Sequence, residues 1–435
     1  MGFNQTFINK FKNVTGLYVH VPFCDGKCFY CAFYSVPYRG GWAAKYLRAL
    51  ETELKQYPPL EVETVYIGGG TPSALDPDEL KNLFALIKNH IRADLVKEWT
   101  VECNPGSLTP GKLAILAQNG VNRISLGAQS FDDDALKWLG RRHSAADIFD
   151  AVEMIKAAGF DNFGLDLIAC IPGFKQDVWR KTLSAAIALE PMHISVYALT
   201  REEGSRLARE TGEKQNSTLP DKNCSRPRRG RSGVIPLRPN RLAQGFAGAK
   251  RRDYAGQAAP GYNPASHNQI ELLSEDEEIE ALDLAENILT AEGYMHYEIS
   301  NYALPGFECR HNLDCWRGGE YIGLGPAASS HAGLMRWTSL PDLVKYTEAL
   351  ERDLNPPREV DPLDPELKQL EMIVFGLRLA EGISKATGRI REEKLRELCR
   401  EGLVADTGDG WRLSRRGFYL ADYVGRELLA GRNAE

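Results

Sequence analysis

The chain has 435 residues, of which 43% are hydrophobic and 26% are charged, and its formal net charge is −6. This composition is typical of a globular protein with enough apolar material for a sizeable core. The negative charge argues against a chain that binds nucleic acid or an anionic membrane along its whole length.

Membrane and disulfide-rich classes are also excluded by the sequence. No run of apolar residues approaches the roughly 20 that span a bilayer. The first residues lack the apolar segment and the small-residue cleavage site of a secretory signal. The nine cysteines are odd in number and scattered apart from one cluster, unlike a disulfide framework. We therefore expect a cytoplasmic protein without a membrane span.

The first half of the chain alternates short apolar runs with helical patterns. Strands are predicted over 17–21, 64–67, 99–103, 123–126, 164–168 and 193–198. Helices are predicted between them, among others over 46–56, 78–91, 110–119 and 145–158. The strands are nearly continuous in apolar residues, as in parallel strands covered on both faces. Residues 1–205 are therefore predicted to form an α/β unit, either a parallel βα barrel or a doubly wound sheet.

Three cysteines follow the first predicted strand in the spacing C-x3-C-x2-C. Cys24, Cys28 and Cys31 lie on one short loop, where each thiolate can bind a different iron of a [4Fe–4S] cluster. The fourth iron then lacks a protein ligand and is open to a bound molecule. A zinc site with His20 as its fourth ligand is the alternative that spacing leaves open.

Polar residues and glycines follow the other predicted strands. A glycine triplet with Thr71 follows the second strand, where the absence of Cβ atoms allows a ligand to approach the backbone. Glu102, Gln129 and Asp166 lie at or near later strand ends, and Arg141 follows in the chain. Their donors and acceptors suit a ligand with an ammonium, a carboxylate, ribose hydroxyls and an adenine.

The second half of the chain divides into three predicted parts. Residues 206–272 form an irregular basic insertion: 222–252 contain ten Lys or Arg and no Asp or Glu, which predicts disorder. Residues 273–355 are rich in glycine and aromatic residues and are expected to complete the barrel. Residues 356–435 show a helix–helix–wing pattern typical of a winged-helix domain. A nucleic-acid-binding module is the remote alternative, but the winged part lacks a strongly basic recognition helix.

With these motifs assembled, the chain resembles the oxygen-independent coproporphyrinogen III oxidase family of radical S-adenosylmethionine (SAM) proteins. The matching segments include LYVHVPFCDGKCFYCAF, YIGGGTPS, VECNPGSLT, RISLGAQSF and LDLIACIPG. The resemblance implies a partial (β/α)6 TIM-like barrel with the cluster at its open end and SAM as ligand. It assigns SAM contacts to Tyr18, Gly69, Gly70, Thr71, Glu102, Gln129, Arg141 and Asp166.

At two positions the chain resembles the heme chaperone branch of that family, HemW. The oxidases carry a fourth cysteine two residues after the third, and here that position is Phe33. The chaperones carry HNxxYW late in the chain, and here His311 opens HNLDCW, with Cys315 in place of the tyrosine. The resemblance therefore implies heme binding, with His311 as the leading contact, and transfer to an unknown acceptor protein. The resemblance also implies that the protein forms a homodimer. The alternative function is the oxidase reaction, against which Phe33 argues.

Overall fold

A twelve-stranded sheet dominates the computed structural model, which describes residues 14–211 and 272–430. The predicted basic insertion lies almost entirely outside these residues. The strands are β1 (Gly16–Val21), β2 (Phe23–Cys24), β3 (Val36–Pro37), β4 (Thr64–Gly69), β5 (Glu98–Cys103), β6 (Arg123–Gln129), β7 (Phe163–Ala169), β8 (His193–Ala198), β9 (Met295–Glu298), β10 (Asn301–Ala303), β11 (Tyr321–Leu324), β12 (Ser329–Ala332), β13 (Met335–Ser339), β14 (Arg358–Pro362), β15 (Ile383–Ser384), β16 (Val404–Asp406) and β17 (Gly410–Leu413).

The helices pack mainly between and around the strands. They are α1 (Gly40–Leu54), α2 (Pro77–Lys88), α3 (Pro110–Gln118), α4 (Asp133–Leu139), α5 (Ala145–Ala157), α6 (Gln176–Ala188), α7 (Arg206–Thr211), α8 (Glu275–Ala291), α9 (Arg310–Trp316), α10 (Leu343–Leu350), α11 (Pro365–Gly376), α12 (Lys385–Gly388), α13 (Glu392–Arg400), α14 (Arg415–Tyr419) and α15 (Ala421–Leu429). None of the helices within 14–211 and 272–430 is long and apolar enough to cross a membrane.

The order of the parallel strands decides between the two predicted architectures. β1, β4, β5, β6, β7 and β8 are neighbours in chain order and all pair in parallel. A doubly wound sheet reverses its strand order at a switch point, and this sheet does not. The fold is therefore α/β of the partial (β/α)6 barrel type, as predicted, and all six predicted strands are present.

The inner face of these strands differs from the predicted continuous apolar runs. In β6, Ile124, Leu126 and Ala128 enter the hydrophobic core. The alternate residues Ser125 and Gln129 instead line a central cavity. Because strand side chains alternate between faces, one face packs under the helices and the other forms a polar interior. This interior, lined by the inward residues of β1 and β4–β8, is called the lumen below.

Strands from the second half of the chain extend both edges of the barrel. β10 pairs with β8 on one side, and β11 pairs in parallel with β1 on the other, leading to β12, β13 and β14. Glu53 of α1 is fully buried and joins α1 to the second extension. Its carboxylate accepts hydrogen bonds from Gly325 N at 2.9 Å and Tyr346 OH at 2.7 Å, and pairs with Arg358 Nη2 at 2.7 Å.

The C-terminal part has the predicted helix–helix–wing arrangement. β16 and β17 form the antiparallel wing, and β15 adds a third strand that the sequence did not predict. Around them α11, α13 and α15 contribute Leu370, Leu398 and Leu428 to a second hydrophobic core. Separate cores are typical of separate structural units, and the domain boundaries at 205, 272 and 355 stay a prediction.

Candidate functional site

The lumen holds a cavity of about 820 Å³, within the size range of small-molecule sites. Every residue predicted for the site lines it: Cys24, Cys28, Cys31, Tyr18, Gly69, Gly70, Thr71, Glu102, Gln129, Arg141, Asp166 and His311. The cavity runs from the cysteine loop, beyond the carboxyl ends of the strands, to the opposite end of the barrel where the strands begin. We call that opposite end the floor of the lumen.

The cysteine loop lies at the open end of the barrel, where each thiol is half-buried. Cys24 Sγ lies 3.4 Å from Thr71 Oγ1, and Arg141 Nη1 donates a hydrogen bond to Cys28 Sγ at 3.5 Å. Lys27 Nζ donates to the Phe33 carbonyl and so closes the loop. Burial raises the pKa of the Cys24 thiol to about 11, and a bound cation is the usual means of deprotonating such a thiol.

His20 cannot serve as the fourth ligand of a zinc ion in this arrangement. Its Nε2 lies 2.9 Å from the Tyr34 carbonyl and its Nδ1 lies 3.1 Å from Tyr18 OH, so both ring nitrogens are engaged. Across 14–211 and 272–430, no three His, Cys, Asp or Glu side chains converge on a single-ion site. A cubane cluster instead distributes three thiolates over three irons, and the half-buried thiols at the cavity wall suit it.

The glycine triplet is required by packing as well as by ligand approach. Gly69 has φ +99°, and a Cβ there would lie 2.3 Å from His20 Nδ1. A Cβ at Gly70 would lie 2.5 Å from the Phe23 carbonyl oxygen. The triplet therefore holds the end of β4 tightly against the chain that leads into the cysteine loop.

Gly69→Ala is expected to cost more stability than Gly120→Ala. Both positions have positive φ, +99° and +87°, but a Cβ at Gly120 would meet nothing within 4 Å. The left-handed conformation costs each alanine about 1–2 kcal/mol, and the clash with His20 adds about 1–3 kcal/mol at Gly69 alone. Denaturant unfolding of both variants measures the difference, and equal losses would contradict the packing role.

Two partly buried carboxyl groups, those of Glu102 and Asp166, face the lumen near the cysteine loop. Glu102 accepts hydrogen bonds from Tyr66 OH and Gly69 N, both at 2.9 Å, and burial raises its pKa to about 7. Asp166 accepts from Ser125 Oγ at 3.1 Å, and burial raises its pKa as well. These groups bring hydrogen-bond acceptors to the cavity wall, where the lower local dielectric constant of the protein interior strengthens their hydrogen bonds to a ligand.

Arg141 and Gln129 complete the predicted set at this end. Arg141 Nη2 donates to the Gly127 carbonyl at 2.8 Å and to Asn104 Oδ1 at 3.1 Å, so the guanidinium is oriented by the ends of two strands. Gln129 has φ +69°, at an irregularity between β6 and β7. A non-glycine residue in this conformation is strained, and such strain is often found at ligand sites.

His311 lies at the floor of the lumen, at the far end from the cysteines. It belongs to α9, whose first backbone N–H groups, at Arg310 and His311, donate to the Glu98 carboxylate at 2.8 and 3.1 Å. Its Nδ1 lies 2.9 Å from Thr64 Oγ1. Burial lowers the pKa of His311 to about 4. The helix thus closes the floor, with a neutral imidazole at the cavity wall.

The other end of α9 connects the barrel to the C-terminal part. Trp316 Nε1 donates to Glu298 Oε2 at 3.0 Å, and its ring packs edge-on against Phe375 with centroids 6.1 Å apart. Arg378 lies over the same indole at 5.4 Å. Sequence reasoning missed Glu98 and Glu298, as well as Arg123 in the lumen. Alternation along the strands is the feature that could have identified the lumen residues.

A Glu298→Gln variant should change how stability depends on pH. Burial raises the pKa of Glu298 from 4.5 to about 7, so the native state holds this proton more tightly than the unfolded chain does. Its contribution to stability is therefore full below about pH 4.5 and is lost as the pH rises towards 7. The wild-type advantage over the glutamine variant should shrink across this window. A stability difference between the two proteins that stays constant with pH would contradict this.

Comparison with known proteins agrees with the architecture. A family model described as "Radical SAM superfamily" matches residues 18–186, and one described as "HemN C-terminal domain" matches residues 363–420. The solved structure of coproporphyrinogen III oxidase (HemN) from Escherichia coli, a radical SAM enzyme, superposes with a TM-score of 0.73. It covers 98% of this chain and 92% of that chain at 19% sequence identity, which shows a shared fold.

Curated relatives extend the similarity over almost the whole chain. The heme chaperone HemW of Mycobacterium tuberculosis (strain ATCC 25618 / H37Rv) is 32% identical over 95% of this chain and 94% of its own length. HemW of Lactococcus lactis is 29% identical over 95% of this chain and 96% of its own. HemW of Escherichia coli is 28% identical over 92% of this chain and 94% of its own length.

The parallel barrel with a cysteine loop at its open end, and the match to the superfamily model, define the class of protein. Residues 18–186 of this chain form a radical SAM domain. The sequence identity to the HemW relatives extends over nearly the full chain and identifies the family within this class. The chain belongs to the HemW family.

Proposed function

We propose that this protein binds heme and passes it to an acceptor protein, and that it carries a [4Fe–4S] cluster and SAM. The observation that carries the proposal is the 32% identity to a heme chaperone over 95% of the chain. The polar, ligand-sized lumen with all predicted site residues on its wall supports it. The proposal includes that the protein acts in the cytoplasm and forms a homodimer. The acceptor protein is specified only as one that needs heme.

The residues divide the lumen into two ends with different roles. Cys24, Cys28 and Cys31 would hold the cluster, whose open iron supplies a binding position for the amino and carboxylate groups of SAM. Tyr18, Gly69, Gly70, Thr71, Glu102, Gln129, Arg141 and Asp166 would bind the rest of SAM at that end. Arg141 suits the carboxylate and Asp166 a ribose hydroxyl.

Heme contact is proposed for His311 at the other end of the lumen. The imidazole is neutral because burial lowers its pKa to about 4, and only the neutral ring can ligate iron. Its Nδ1 is engaged with Thr64 Oγ1, so Nε2 is the nitrogen that would face heme. The Thr64 hydrogen bond would orient the ring in the way that outer-shell partners orient metal-binding histidines.

A single sample tests the proposal against the oxidase alternative. The full chain is reconstituted anaerobically with iron and sulfide, titrated with heme, and then assayed with coproporphyrinogen III and SAM. A Soret band that saturates at a fixed heme-to-protein ratio, without protoporphyrinogen formation, is the expected result. Absence of heme uptake would overturn the chaperone function. Formation of protoporphyrinogen would favour the oxidase despite Phe33.

A further inference from the structure

Arg123 is a buried cation at the floor of the lumen. It is the first residue of β6, is 2% exposed, and lines the cavity. Its Nη1 reaches Thr100 Oγ1 at 3.5 Å, the upper limit for a hydrogen bond. Its Nε is buried without a partner among the described residues. A guanidinium has five N–H donors and is always charged, so most of its binding capacity faces the cavity.

The other buried arginines show that this arrangement is unusual in the protein. Arg336 pairs with Glu371 at 2.7 Å, Arg358 pairs with Glu53 at 2.7 Å, and Arg378 pairs with Asp422. Within the part of the chain that the structure describes, Arg123 forms no such ion pair with a carboxylate. A buried charge without a partner is costly, and the usual explanation is a ligand or water that satisfies it.

The carboxylates around Arg123 accept hydrogen bonds from other donors. Glu98 accepts the first N–H groups of α9. Glu102 accepts from Tyr66 and the glycine turn, and Asp166 accepts from Ser125. Arg123 is thus left to bind an acidic group that enters from outside, and a guanidinium fork matches a carboxylate in geometry and charge.

The position of Arg123 separates this acidic group from the carboxylate of SAM. β6 runs from Arg123 at the floor to Gln129 at the open end, about 20 Å at 3.3 Å per residue. Arg141, proposed for the SAM carboxylate, lies at the open end against Cys28. Arg141 Nη2 meets β6 at the Gly127 carbonyl, four residues or about 13 Å along the strand from Arg123. The single carboxylate of SAM, held at Arg141, therefore does not also pair with Arg123. The carboxylate at the floor therefore belongs to a second ligand, and a tetrapyrrole such as heme has carboxylates on its rim.

We propose that Arg123 binds a carboxylate of the tetrapyrrole at the floor of the lumen. This inference rests on the proposed function, because it specifies how the heme of that proposal is held. It also places the ring of the tetrapyrrole between the floor and the cysteine loop, on the same side as His311. Neither the comparisons nor the sequence motifs assign a role to Arg123.

The test uses the reconstituted full chain and two forms of heme, one with free carboxyl groups and one with both esterified. Arg123→Gln should weaken binding of free heme by about 10- to 100-fold, the loss expected for hydrogen bonds to a charged group. Arg123→Lys should weaken it less. Esterified heme should bind wild type and Arg123→Gln equally, and SAM affinity and cluster absorbance should not change. Equal heme affinity in wild type and Arg123→Gln, or loss of SAM instead of heme, would overturn the inference.

Melting of the metal-free proteins separates binding from a structural role. Arg123→Gln removes a guanidinium that has no direct ion pair with a carboxylate, so it should lower the melting temperature less than Arg336→Gln, which leaves Glu371 without its partner. A large drop in melting temperature for Arg123→Gln would assign the residue to the fold and overturn the inference.

Titration with coproporphyrin III separates this inference from the proposed heme chaperone function. If it binds through Arg123 while heme does not, the chaperone function fails and the inference stands. If neither coproporphyrin III nor heme binds, both the proposed function and the inference about Arg123 fail.

Discussion

Cys28→Ser is expected to abolish the iron–sulfur cluster. The serine hydroxyl does not replace a thiolate at iron, and a loop with two remaining thiols leaves one more iron of the cubane without a ligand. The substitution also removes the sulfur to which Arg141 donates at 3.5 Å. Anaerobic reconstitution should therefore yield protein without the brown visible absorbance of thiolate-bound iron, and iron analysis should fall to background.

Cys399→Ser is the matched control for this experiment. Cys399 is also a half-buried free thiol, but it lies on α13 in the C-terminal part. Its substitution should leave iron content and absorbance at wild-type levels. A Cys28→Ser protein that keeps both its iron and its spectrum would contradict the assignment of the loop. Loss of iron and absorbance in both variants would indicate general misfolding instead.

Glu53→Ala is expected to cost about 3–5 kcal/mol of unfolding free energy, the usual cost of removing one partner of a buried ion pair. The substitution leaves Arg358 charged and buried without its carboxylate. It also leaves Gly325 N and Tyr346 OH without their acceptor. Because Glu53 pairs with Arg358 of β14, this edge of the sheet should open first. Urea unfolding measures the loss, and proteolysis between β11 and β14 locates it.

Glu51→Ala on the same helix is the control. Glu51 forms an exposed i,i+4 pair with Lys55 at 2.6 Å, and such surface pairs contribute about 0.5 kcal/mol or less. Helix propensity favours alanine over glutamate only slightly. If Glu53→Ala lowers the unfolding free energy no more than Glu51→Ala does, the buried network around Glu53 does not stabilise the sheet edge from β11 to β14.

The local features of this protein could be predicted from its sequence. The six parallel strands follow from short-range patterns, and the structure has all of them. The cysteine loop is equally local, because three ligands within eight residues are visible as spacing. The order of the polar groups along the chain also indicated the open end of the barrel, since parallel strands bring their carboxyl ends to one edge.

The lumen and its closure required the tertiary structure. Glu53, Glu98 and Arg123 are single charged residues in the sequence, and nothing local distinguishes them from surface charges. Their roles depend on contacts with residues more than 200 positions away, such as Glu98 with α9, or on a cavity that exists only when six strands are side by side. The sequence also grouped His311 with the ligand residues without indicating that it lies at the opposite end of the lumen.

The sequence by itself determined the class of fold, the cysteine loop and the residues that meet at the open end, because each depends on periodicity or on residues close together in the chain. Only the tertiary structure decided what the barrel encloses. Long-range pairing sets which strand faces turn inward, which buried charges find a partner and which, like Arg123, are left facing the cavity.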